Sequence, residues 1–68
     1  MEDIFTIRFS EALKNANLSQ TQLAKSVGIS KQCISDFKNG KSFPGMQTLR
    51  LLCKYLDESA DYLLGLEK

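Results

Sequence analysis

The sequence predicts an all-α, compact five-helix domain filling residues 1–68, with helices 2 and 3 joined by a tight turn. Three observations carry this. Residues 20–37, QTQLAKSVGISKQCISDF, hold two short amphipathic segments that meet at Gly28. Apolar residues on either side recur at helical spacing. A chain of 68 residues has material for one core and buries only about 60% of the surface its unfolded form exposes, so a single small domain is expected.

Phe5, Phe9, Ala12, Leu13 and Ala16 follow i, i+4, i+7, i+8 and i+11, which predicts helix 1 over about 3–16. At that spacing the aromatic rings belong to a core and do not form a stacking platform for bases. Ser19 and Gln22 form a capping pair for helix 2, whose apolar stripe is Leu23, Ala24 and Val27. Gly28 ends it, because glycine takes positive φ without penalty, and Ile29 follows as an apolar plug. Ser30 caps helix 3, expected over about 31–39 and ended by Gly40. On it Cys33, Ile34 and Phe37 share one arc, while Lys31, Gln32, Ser35, Asp36 and Asn39 share the other. Pro44 and Gly45 make residues 41–45 a loop. Helix 4 starts near Met46, with Met46, Leu49, Leu52, Cys53 and Leu56 on its apolar face. Leu51, Tyr55 and Leu66 remain as a candidate self-association surface. Ser59 caps a short last helix that Gly65 ends.

The net charge of +1 conceals a division along the chain. Residues 14–54 carry Lys14, Lys25, Lys31, Lys38, Lys41, Arg50 and Lys54 against Asp36 alone, whereas both ends are acidic. A basic centre around a wholly polar helical arc suits an anionic partner, and the side chains on that arc are donor and acceptor types that read base edges. The acidic N-terminus does not fit a signal peptide, and no apolar run is long enough to cross a membrane, so the chain is expected to be cytoplasmic with Cys33 and Cys53 reduced. Both cysteines flank apolar residues and are expected in the core, with no metal site, and without export the Asn17-Leu18-Ser19 sequon has no meaning.

The residues Gln20, Leu23, Ala24, Val27, Gly28, Ile29, Ile34 and Phe37, then Asn39-Gly40-Lys41, Pro44 and Asp61-Tyr62-Leu63-Leu64-Gly65, resemble the pattern of the lambda-type phage repressor and Cro family, also called XRE-type regulators. The resemblance runs from about Phe5 to Gly65. It implies a lambda-repressor-like fold and a sequence-specific DNA-binding regulator, a repressor, that places helix 3 in the major groove as a homodimer on a palindromic operator. It further implies that Lys31, Gln32, Ser35 and Asp36 read bases, and that Gln20, Asn39, Lys41 and Ser42 bind phosphates. Asp36 departs from the long polar or basic residue that such relatives often carry. Its carboxylate needs a partner, either cytosine N4 or a nearby lysine, and direct readout is the expectation taken here.

The alternative from another class is a protein-interaction module of the same fold, such as an antitoxin or anti-repressor component; salt dependence separates it from DNA binding. An enzyme is not expected. The chain has no histidine, and Gly40-Lys41-Ser42 matches only the end of a phosphate loop whose first glycine would fall at Ser35. No catalytic residue, cofactor or small-molecule substrate is assigned.

Overall fold

The computed structural model describes residues 3–66, which form five helices: α1 (Ile4–Asn15), α2 (Gln20–Val27), α3 (Lys31–Asn39), α4 (Met46–Leu56) and α5 (Ala60–Leu64). Their limits are set by local chemistry. Asp3, Ser19, Ser30 and Ser59 each accept a backbone N–H of the first turn, from Phe5, Gln22, Cys33 and Tyr62 respectively. At α2 the box is complete: Gln22 N donates to Ser19 Oγ at 3.1 Å, and Ser19 N donates to Gln22 Oε1 at 2.9 Å. Helix α1 is one residue shorter at each end than expected, because Asp3 and Ala16 serve as its caps.

Four helices end in a left-handed residue: Gly28 (φ 85°), Gly40 (φ 74°), Gly65 (φ 73°) and Asp57 (φ 56°). The next N–H closes back on the helix in each case. Ile29 donates to the Ala24 carbonyl at 3.1 Å, Lys41 to Asp36 at 2.9 Å, Glu58 to Cys53 at 3.0 Å and Leu66 to Asp61 at 2.8 Å.

Each helix places one large side chain fully inside: Phe9, Leu23, Ile34, Leu52 and Leu63. Helix α3 packs on α2 and α1, α2 on α4, and α1 on α5. Phe37 fixes α3 to α1 by presenting its ring edge-on to Phe5 and Phe9, with centroids 6.5 and 6.0 Å away, while those two rings stack at 5.5 Å. Arg8 holds the last helix, donating to the Tyr62 carbonyl at 2.6 Å and lying 4.6 Å over the Tyr62 ring. Cys33 and Cys53 are half-buried against the core. Burial pushes the Cys53 thiol up, against a backbone hydrogen bond that lowers it and with a further rise from the Glu58 carboxylate, which suits an unreactive thiol.

Two expectations for α4 are corrected. Met46 is 89% exposed, because the helix begins there, on an exposed stretch, and its apolar face first meets the core at Leu49. Leu51 is half-buried against the core, so of the three residues proposed for self-association only Tyr55 and Leu66 are exposed.

These placements set the stability of the fold. Phe37→Ala should cost about 3–5 kcal/mol in urea unfolding, comparable with the whole stability of a domain this size, whereas Met46→Ala should change it by less than about 0.5 kcal/mol. A large loss from Met46→Ala would restore that residue to the core. At Gly28 a Cβ would meet nothing within 4 Å, so only the positive φ demands glycine. Gly28→Ala should therefore cost about 1–2 kcal/mol, Gly28→Asn less and Gly28→Val more. Equal melting temperatures across that series would contradict a left-handed turn.

Candidate nucleic-acid interface

The polar arc of α3 is assembled by what its opposite side buries. Ile34 is fully enclosed and Phe37 nearly so, and their insertion turns Lys31, Gln32 and Asn39 to the surface, with Ser35 and Asp36 half-buried beside them. The helix carrying these groups is nine residues long, about 13.5 Å, and the diameter of an α-helix with its side chains, about 10–12 Å, fits a major groove about 12 Å wide. The structure thus brings all four sequence-predicted base-reading residues onto one face.

Hydrogen bonds along the helix order part of that face. Gln32 Nε2 donates to Asp36 Oδ1 at 2.9 Å, and Asn39 Nδ2 donates to Ser35 Oγ at a longer 3.4 Å. Both pairs are spaced i, i+4, the spacing at which helical side chains meet, and each contributes about 0.2–0.5 kcal/mol to a helix. The partner of Asp36 on its own helix is therefore the Gln32 amide, which sequence reasoning did not consider although the spacing was visible.

The sequence-predicted phosphate contacts fall at the borders of the helix pair. Gln20 is the first residue of α2, directly after the Ser19 cap, and is half-buried. Asn39 is the last residue of α3; Lys41 follows Gly40 and is exposed, and Ser42 is half-buried. The backbone bond from Lys41 to Asp36 fixes how the chain leaves α3. A second anchor is Phe43, whose ring packs edge-on to Phe5 with centroids 6.0 Å apart although the residue remains 55% exposed. That contact ties down the segment carrying Lys41 and Ser42, and sequence reasoning, which treated 41–45 only as a loop, missed it. An aromatic residue next to proline was the available signal.

Beyond the loop, α4 begins at Met46 behind Gly45, which has no side chain to cap it, leaving its first amides open to other acceptors. Lys14, Lys25, Lys31, Lys41, Arg50 and Lys54 are all exposed, and Lys38 is half-buried. No helix among the described residues is long and apolar enough to cross a membrane.

Comparison with known proteins agrees with this geometry. Residues 9–63 match a family described as helix-turn-helix. The HTH-type transcriptional activator BcrR of Enterococcus faecalis is 31% identical over 64 residues, covering 94% of this chain. The chain spans 31% of the length of that relative. No solved structure matches this chain. With a capped α2, a left-handed turn at Gly28, a polar-faced α3 and a family match over most of its length, the chain belongs to the helix-turn-helix family of lambda-repressor/Cro (XRE) type.

Proposed function

We propose that this chain is a sequence-specific DNA-binding transcriptional regulator that inserts α3 into the major groove and acts as a symmetric dimer. The observation that carries the reading is the wholly polar outer face of α3, held outward by Ile34 and Phe37. Lys31, Gln32, Ser35 and Asp36 supply the base-facing set, and Gln20, Asn39, Lys41 and Ser42 contact phosphates on either side of it. Exposed lysines provide attraction that does not depend on sequence.

Size argues for two copies. A helix of nine residues lies along about four base pairs, at about 3.4 Å each, too short a site to be rare in a genome. The domain measures 31 Å in its longest direction, less than the roughly 34 Å between half-sites one helical turn apart, so on a site with two such halves one copy reads one half and a second copy reads the other. Repression follows where such a site overlaps a promoter. The name of the E. faecalis relative, an activator, supports a second reading in which the same contact recruits transcription.

Selection from a pool of randomised duplexes tests the proposal directly. A palindromic site bound by two copies is the expected result; a site without two-fold symmetry, or a full-affinity 1:1 complex, would remove the dimer. Salt then tests the partner class, since binding through cationic contacts weakens steeply as salt rises, and salt-independent association with a protein would favour the interaction module.

Substitutions test the division of roles. Gln32→Ala should cost about 1–3 kcal/mol on the selected site and relax preference at one base position. Lys41→Ala should weaken selected and random duplexes alike and lower the salt slope by about one. Identical effects of the two variants on both kinds of DNA would contradict the assignment.

A further inference from the structure

A glutamine amide carries two N–H donors and one carbonyl acceptor, so in a major groove it is ambivalent. Against adenine it uses one donor and one acceptor, to N7 and N6; against guanine it can turn both N–H groups toward the acceptors N7 and O6. In this chain the choice is constrained by the residue one turn on. Asp36 Oδ1 receives Gln32 Nε2 at 2.9 Å. An ionised carboxylate only accepts, so the amide must turn its nitrogen toward Asp36, and one N–H is consumed. One N–H and Oε1 remain, the complement of the adenine edge. Guanine would meet a carbonyl oxygen or a carboxylate where it needs a second donor, which penalises it directly.

Resting on the DNA-binding reading above, we propose that Asp36 is a positioning residue that holds the Gln32 amide as a one-donor, one-acceptor fork and thereby selects adenine over guanine at one position of the site. In this role Asp36 acts through Gln32, an alternative to the direct readout of cytosine expected from the sequence, and the single-base series below separates the two. The second ordered pair, Asn39 to Ser35, shows that i, i+4 bonding also extends to the next turn of the same face. Removing the carboxylate also removes repulsion from the DNA backbone, so total affinity is a poor readout; the ratio between two bases at one position is insensitive to that change.

The test uses the duplex recovered by selection and its three single-base substitutions at each position, bound by the whole chain and by the variants Asp36→Ala, Asp36→Asn, Gln32→Ala and the double variant Gln32→Ala/Asp36→Ala. Asp36→Ala should lower the adenine-to-guanine ratio by about tenfold at one position. Gln32→Ala should flatten that same position, and the double variant should match Gln32→Ala alone. Asp36→Asn keeps an acceptor and should retain part of the ratio. Preferences elsewhere, and the melting temperature, should change little, which a merely structural role for Asp36 would not allow. An unchanged ratio in Asp36→Ala, or a loss at a position that Gln32→Ala leaves intact, would overturn the proposal while leaving the DNA-binding reading standing. Failure of the unmodified chain to prefer any duplex would instead remove the DNA-binding reading, and this proposal with it.

Discussion

The reversal of the chain at Gly28 is the constraint on which the interface depends. At φ 85° its N–H and that of Ile29 both return to the Ala24 carbonyl, so α2 stops abruptly and α3 begins three residues after Gly28, at Lys31, under the Ser30 cap. The open space where a Cβ would stand means that glycine is required here for its backbone alone. Gly65 differs, because a Cβ there would come within 2.9 Å of Ile4 Cγ2, so close packing of α1 against the end of α5 adds to the demand of its φ. The first glycine sets the angle of α3; the second lets the last helix seal the core.

What holds α3 at that angle is a small amount of apolar surface used efficiently. Only Ile34 and Phe37 of the helix are buried outright, with Cys33 and Ile29 packed partly beneath. Phe37 meets two rings of α1, and Phe5 in turn meets Phe43 from the following loop, so one aromatic cluster fixes both α3 and the segment carrying Lys41 and Ser42. In a domain of this size stability is only a few kcal/mol, and the core and the site are consequently inseparable. Loosening the ring cluster would move the polar face before it exposed much else.

Much of this architecture was legible in the sequence because its decisive signals are local. Ser19 with Gln22, Ser30, Ser59 and the glycines at 28, 40 and 65 act within one turn of where they stand, and each marks a helix end the structure contains. Signals that depend on distant packing were less legible. Met46 continues the apolar periodicity of α4 yet lies exposed at its start, and Leu51 falls off that stripe yet packs against the core, because the neighbours of a helix, and not its period alone, decide which flank is covered. Asp57 closes α4 in a left-handed conformation without being glycine. The Arg8 bond to the Tyr62 carbonyl joins residues 54 positions apart, beyond the reach of any local pattern. At the candidate site, the arc of α3 followed from periodicity, but the pairing of Gln32 with Asp36 did not, since two polar residues at that spacing can equally point apart.

The most direct test of the central claim, that the polar face of α3 and its two borders form the DNA-contacting surface, is amide chemical-shift mapping of the labelled chain titrated with a short duplex at low salt. The largest shifts are expected on Lys31, Gln32, Ser35 and Asp36 of α3, on Gln20, and on Asn39 through Ser42, while α5 and the buried side of α1 stay nearly still. Shifts concentrated on the exposed residues of α4 and α5, with α3 unmoved, would contradict it.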